Sequence, residues 1–405
     1  MAKKLPGLTR RTFLKGTAAA SVVAVSLNTL VGCKNPASDK NKTPTVLDDN
    51  AAISILDEYK QVDLPYAQSG SWSLPLGTVI HVGEGSWLPV MAMGDTAAQS
   101  IKGSVFSTAS GTLSDVVPKC ITTDGSGWVV YDVACSDSAY AWVELNLITR
   151  AWVLYAAKLE GGALVGNASK LWEADNLYDP PQVAVSDTKV FWQVMPSAEG
   201  KRRTENSSGY LWKLGDSQAT SVVESPGRFG MAPSISGSTI TLAPRVSSKQ
   251  GTMYGVTTYD LSNDLSSQVD QLVLPVGVKP FYATRIGDNF VISVEANYNS
   301  GGLLGKMGTY IGNNSDKFIA LSREPAAVVS GTEAGVYFIK SKSSYFVVDT
   351  TAKTYAVLPA NDRALDYGEY PARDGVTKEF VTYSTVKDKG TGYPSVVIVR
   401  SFALS

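Results

Sequence analysis

His81, Cys33, Cys120 and Cys135 are the only histidine and cysteines among 405 residues, and that inventory bounds the available chemistry. Zinc and haem sites draw on several such ligands. His81 stands in Thr78-Val79-Ile80-His81-Val82, a strand-like run where a lone imidazole is expected to be a hydrogen-bonded structural residue, not a base. No Gly-x-Ser-x-Gly elbow, P-loop or EF-hand loop occurs. The sequence therefore predicts no catalytic residue, no metal site and no cofactor. Asp48-Asp49-Asn50 and Lys201-Arg202-Arg203 are short charge runs and read as solvated segments.

The strongest local chemistry is at the N-terminus. Lys3, Lys4, Arg10, Arg11 and Lys15 make a basic start with no acidic residue, followed by an apolar stretch from Ala18 to Val31. That stretch is shorter and more polar than the roughly 20 apolar residues a membrane span needs. Thr9-Arg10-Arg11-Thr12-Phe13-Leu14-Lys15 resembles the twin-arginine export pattern, whose arginine pair is read by a receptor. Leu30-Val31-Gly32-Cys33 resembles a bacterial lipoprotein box. The resemblance implies that Arg10, Arg11, Phe13, Leu14 and Lys15 form the export motif and that residues 1–32 are removed as a signal peptide. It also implies that Cys33 is acylated, with chains such as palmitate. At about 0.8 kcal/mol per buried methylene, two or more chains anchor firmly where one does not.

Residues 33–50 open with Lys34-Asn35-Pro36-Ala37-Ser38-Asp39, polar and without periodicity, and are expected to be a tether. The mature chain would carry 31 basic against 37 acidic residues, a net charge of −6. Mild acidity predicts no nucleic-acid partner. The expected location is the cell membrane, lipid-anchored and facing the periplasm or the cell exterior, after passage through the twin-arginine translocase.

From residue 51 to 405 the chain repeats itself about every fifty residues. Val133-Ala134-Cys135-Ser136-Asp137-Ser138 precedes Tyr140-Ala141-Trp142-Val143, and Val183-Ala184-Val185-Ser186-Asp187-Thr188 precedes Val190-Phe191-Trp192. The cassette returns at Ser236-Gly237-Ser238, Gly287-Asp288-Asn289, Ser330-Gly331-Thr332 and Arg373-Asp374-Gly375, with an earlier copy at Val82-Gly83-Glu84-Gly85. Asp, Gly, Ser and Asn suit tight turns between strands because they tolerate positive φ or bond the local backbone. Third and fourth strands follow each cassette, as at Tyr210-Leu211-Trp212-Lys213-Leu214 and Thr220-Ser221-Val222-Val223.

Four strands per repeat of this length predict an all-β chain folded as one β-propeller, with seven blades from the cassette count and six as the rival. The last repeat lacks a fourth strand, and Ala52-Ile53-Ser54-Ile55-Leu56 is expected to supply it and close the ring. Cys120 and Cys135 then fall at opposite ends of a strand, roughly 23 Å apart at about 3.3 Å per residue. Two separate thiols are expected, a disulfide being the rival. Residues 51–405 resemble bacterial TolB-like and WD40-like propellers in period and pattern, without the Gly-His and Trp-Asp signatures of true WD40 repeats.

Long second-to-third-strand loops (195–209, 247–252, 296–308 and 386–394) and the blade-to-blade connections would open on one face. The connections carry Tyr178, Asp179, Arg228, Phe229, Lys279, Tyr282, Tyr367, Glu369 and Tyr370, aromatic and charged types suited to a peptide, protein or envelope polymer. The expected function is therefore a binding or scaffold module. The alternative is a propeller hydrolase or lyase using carboxylates such as Asp179 and Glu369. The short turns at Asp137, Asp187 and Gly237 are expected to serve folding alone.

Changing Cys33→Ser should abolish lipid attachment, and changing Arg10 and Arg11 together to Lys should leave precursor in the cytoplasm. Metabolic acyl labelling and fractionation read both outcomes, and a normally labelled Cys33 variant would overturn the assignment.

Overall fold

The computed structural model describes residues 52–93, 101–246, 251–295, 307–313, 317–342, 344–361 and 369–404. Arg10, Arg11, Phe13, Leu14, Lys15, Cys33, the tether and Tyr367 lie outside the described residues, as does most of the loop 296–308.

The cassettes at Asp137, Asp187, Gly237 and Gly287 fold as the expected strand–turn–strand units. Cys135 ends the strand Trp128–Cys135 and Ala139–Asn146 begins after three residues; Gln182–Ser186 and Lys189–Val194 are joined by two. Asp187 adopts φ +48° and Gly237 φ +56°, the left-handed conformation anticipated for these turns. Each strand pair extends into an antiparallel meander, and the described strands pair into seven sheets. The architecture is a single all-β propeller. Its one described helix is the turn Ile55–Glu58, and among the described residues no helix is long and apolar enough to cross a membrane.

The sheets stack face to face through buried apolar side chains, and each joint draws on both neighbours. Val105 and Val117 of the first sheet pack with Val133 and Trp142 of the second. Trp152 of the second packs with Trp192 and Trp212 of the third. The series continues through Phe191 with Ile240, Leu272 with Phe290, Ile286 with Val329, and Phe338 with Phe380. The circuit closes where Val381 and Val397 of the seventh sheet meet Ile80 and Val90 of the first. Strands buried on both faces need apolar residues at nearly every position, which is why Ala139–Asn146 is buried throughout.

The closing strand is not the one expected. Gln68–Pro75 pairs antiparallel with Pro394–Ala403, Trp72 opposite Val399 and Leu74 opposite Val397, and completes the seventh sheet. Residues 52–56 do something else. Ile53–Ser54 adds a short parallel strand outside Ile319–Leu321 of the fifth sheet, and Ile55 turns into the joint between the fifth and sixth sheets. Lys60–Gln61 then adds to Thr354–Pro359 of the sixth. The reason is burial: Ile55 is fully enclosed beside Leu321 and Tyr337, a better seat than an edge strand would give it.

The seventh sheet also departs from the repeat on the channel side. Its inner strand, Tyr370–Pro371, lasts two residues. Ala372 still receives the Gly83 N–H at 3.2 Å, and then the chain leaves the sheet and crosses the channel. Gly375–Val376 pairs in parallel with Val329–Gly331 of the sixth sheet, while the Val376 N–H reaches Ser236 Oγ of the fourth at 3.1 Å. Gly375 makes the crossing possible. Its φ is +62°, and a Cβ there would lie 2.5 Å from the carbonyl oxygen of Ile235.

Two outcomes follow for stability. Leu74→Ala, which removes a buried side chain from the joint that closes the circuit, should cost about 2–5 kcal/mol by chemical denaturation. Gly375→Ala should also destabilise, by strain and by contact, whereas the same change at Gly237, whose added Cβ meets nothing within 4 Å, should cost less.

Candidate functional site

In each meander the long loops and the sheet-to-sheet connections share one end of the propeller, the loop end, and the cassette turns share the other. The loop-end candidates do not gather into one patch. Tyr178, Asp179 and Arg228 form one group. Arg228 is paired with Asp179 at 2.9 Å and also donates to the carbonyl of Pro196, Tyr178 bridges to Pro196, and the Ala198 N–H reaches Asp179 at 3.2 Å. Together they pin the start of the long loop that begins at Met195. Arg202 of that loop lies 5.3 Å from the centroid of the Tyr178 ring. Phe229 is buried between the third and fourth sheets, so it does not offer itself to a ligand, while Lys279 is exposed.

Glu369 and Tyr370 form a separate group at the sixth and seventh sheets. Glu369 is fully enclosed, accepts two guanidinium hydrogen bonds from Arg400 and one from Thr382, and takes the Asn361 N–H at 2.9 Å. A carboxylate so occupied is a structural ion pair. Tyr370 lies 5.6 Å from the Tyr383 ring, and the Lys340 ammonium sits 3.9 Å over its face. Burial pushes the Lys340 amine down to about 8. Tyr282 is turned inward. Its hydroxyl donates to Asp374 and lies 3.1 Å from the carbonyl of Val329.

The inner strands and the crossing segment line a half-open cavity of about 60 Å³ in the turn half of the channel. Its walls are Val82, Gly83 and Glu84 of the first sheet's cassette, Ala134 and Cys135 of the second, Val183 to Val185 of the third, Pro233 and Ile235 at the fourth, and Asp374. Glu84 stands out into the channel and takes a hydrogen bond from the Ser186 hydroxyl at 2.9 Å, from the first sheet across to the third. Arg373, next to Asp374, points elsewhere. It donates to the carbonyls of Gly83 and Gly85 at 3.0 and 2.5 Å and pairs with Glu379 at 3.3 Å.

The electrostatics of the two carboxyls follow from that placement. Desolvation by the channel walls pushes Asp374 up to about 6, and the charge of Glu84 adds to it, against the opposing bonds from Tyr282 and the Gly375 N–H. The same desolvation raises Glu84, with Asp137 and Asp187 adding to the effect. Those two aspartates have a structural task as well. Asp137 accepts from the Ser86 and Trp87 N–H groups at 2.6 and 3.1 Å, and Asp187 from the Ser138 hydroxyl at 3.2 Å, each across a sheet joint.

Cys120 and Cys135 are unpaired. Burial pushes Cys120 up to about 12 and Cys135 further, so both stay protonated and unreactive at neutral pH. His81 contacts Asp132 at 3.2 Å, a structural role. Among the described residues no group of three His, Cys, Asp or Glu is placed to hold a metal ion. Sequence reasoning passed over Glu84 and Asp374, treating their cassettes as turns. Composition alone does not single them out, because the cassettes at Asp137, Asp187 and Asp288 carry a carboxylate as well.

No protein-family model matches the chain, and no curated protein does. Solved structures similar to it include a prolyl endopeptidase at 12% identity and TM-score 0.49, covering 81% of this chain and 50% of that one. Others are an oligogalacturonate lyase from Vibrio parahaemolyticus (10%, TM-score 0.45, 84% and 98% covered) and the β-propeller domain of the trilobed protease from Pyrococcus furiosus (12%, TM-score 0.41, 66% and 80%). The chain thus spans half the length of the prolyl endopeptidase. At this identity and these TM-scores nothing about activity transfers.

The raised carboxyls give a pH signature with a definite sign. A native pKa near 6 for Asp374, against about 3.9 when unfolded, means the native state holds the extra proton between those values. Stability is then fully present below about pH 4 and lost as pH rises through 6. Thermal melts of Asp374→Asn and the parent from pH 4 to 7 should converge at the acid end and separate toward neutrality, the variant being the more stable there.

Proposed function

We propose that the chain is an exported lipoprotein, held outside the cytoplasm by acyl chains on Cys33. In this reading the seven sheets are the blades of one closed ring, and the ring is a binding module for a protein, peptide or envelope polymer. The observation that carries the reading is the turn-end cavity, lined by inner-strand residues of four sheets together with Glu84 and Asp374. Rigid walls with a few convergent polar groups suit recognition. The loop-end carboxylates Asp179 and Glu369 are engaged by Arg228 and Arg400, which supports binding over catalysis by that pair.

A second reading, a hydrolase or lyase, is favoured by one specific observation. Burial pushes the Asp374 carboxyl up to about 6, and it accepts a hydrogen bond from the Tyr282 hydroxyl, features a general acid–base group would need. In that reading the carboxylates are Glu84 and Asp374, replacing Asp179 and Glu369.

The two readings part in a turnover assay. Purified full-length protein should release no product from chromogenic prolyl peptides, esters or oligogalacturonate over hours. Turnover that disappears in Asp374→Asn would overturn the binding reading in favour of the catalytic one.

A further inference from the structure

We propose that the loop end of the joint between the third and fourth sheets is a seat for a primary carboxamide, the end of a glutamine or asparagine side chain of a partner peptide. This rests on the reading of the ring as a binding module, and it names a chemistry and a place apart from the turn-end cavity. The first observation is a set of buried polar groups without partners. Among the described residues, Gln193 Oε1 and Nε2, Gln182 Oε1 and Ser207 Oγ are buried and make no hydrogen bond. Gln193 is 0% exposed and Ser207 1%. An amide buried in that state bears the full cost of its desolvation, so it calls for a partner.

The second observation is that strand register brings these groups to one face. Gln193 stands two residues beyond Phe191, which packs against Ile240 and Leu242 of the fourth sheet. Gln182 is directly opposite Gln193 in the antiparallel ladder, and Gly209, opposite on the other side, has no side chain to offer. Ser207, two residues before Gly209, shares that face and lies opposite Ser225. Phe191, Leu211, Val223, Ile240 and Leu242 make the rest of the joint apolar. The unpaired buried hydroxyls of Thr284, Ser330 and Ser384 stand singly on three other sheets.

The third observation is the match of donors to acceptors. Gln182 Oε1 and Gln193 Oε1 need donors, and Gln193 Nε2 needs an acceptor. A primary carboxamide supplies two N–H donors and one carbonyl, whose second lone pair the Ser207 hydroxyl can fill. A carboxylate brings no donor, an ammonium no acceptor, and an apolar side chain neither. Entry is from the channel mouth, since Gln182 is half-buried on the inner strand. Arg228 spans Asp179 and Pro196, which lie three residues beyond Gln182 and Gln193 on their strands, and so forms the latch. Its ion pair is partly exposed to water and therefore weak, and Gly227 and Gly230 flank the connection that must swing aside.

The test uses the full chain in detergent and calorimetric titration with Nα-acetyl-glutamine methylamide and Nα-acetyl-asparagine methylamide. The glutamate and methionine counterparts, which share the blocked main chain, are the controls. The expected result is binding of at least one carboxamide, with both controls weaker by about tenfold or more. Gln193→Leu should weaken carboxamide binding about tenfold or more while its melting temperature rises, because an unpaired buried amide gives way to an apolar side chain. A fall in melting temperature would assign Gln193 to the fold alone and overturn the proposal. Gln182→Met, at a half-buried position, should weaken binding likewise while keeping the parent circular dichroism spectrum. No carboxamide binding at millimolar concentration, equal binding of the controls, or parent-like binding by both variants would also overturn it. That failure leaves the module reading standing, because only turnover lost with Asp374 overturns the latter.

Discussion

The ladder between Gln68–Pro75 and Pro394–Ala403 joins the two ends of the chain, and the geometry of every other sheet depends on it. A stack of twisted sheets that did not close would leave two outer faces of Val, Ile and Phe in water. Closing a loop of more than three hundred residues costs an entropy that grows only with the logarithm of its length. The joint so formed buries Leu74, Val381 and Val397 against Ile80 and Val90, and this gain does not diminish with loop length. Closure also fixes how close the inner strands come to one another, and hence the width of the channel.

Within that fixed ring the seventh sheet makes one concession. Its inner strand stops at Pro371, and the residues that would have continued it cross the channel to touch the first, fourth, fifth and sixth sheets. The concession is possible because Gly375 accepts a left-handed backbone and a contact that no side chain could make. It closes part of the channel and carries Asp374 into the interior. A regular seventh repeat would have placed that carboxylate on an outward turn, as Asp137 and Asp187 are placed.

How much of this the amino-acid order reveals depends on the distance over which the cause acts. Turn residues at fifty-residue spacing are a local signal, and the sheets stand where Asp137, Asp187 and Gly237 put them. The closing strand is less legible. Ser69-Gly70-Ser71-Trp72-Ser73-Leu74 alternates small polar with apolar residues, but only Trp72 and Leu74 declare a buried face. Ile53 and Ile55 look more strand-like, yet Ile55 belongs to a helical turn whose burial is decided by Leu321 and Tyr337, far along the chain. Phe229 and Glu369 show the same limit. An aromatic or an acid at a connection reads as a binding group until the sheet behind it is known to supply Ile240 or Arg400.

The candidate site is legible least of all, because its two carboxylates come from residues 290 positions apart in the sequence and meet only when the ring is closed. Their juxtaposition is a property of the closure and of the crossing segment together. This ties the cavity to stability in a particular way. Arg373 anchors the crossing segment to the first sheet through the carbonyls on either side of Glu84, so one guanidinium positions both walls of the cavity. Because that guanidinium is engaged by the carbonyls of Gly83 and Gly85 and by Glu379, the placing of Glu84 and Asp374 and the joining of the first and seventh sheets rest on the same bonds.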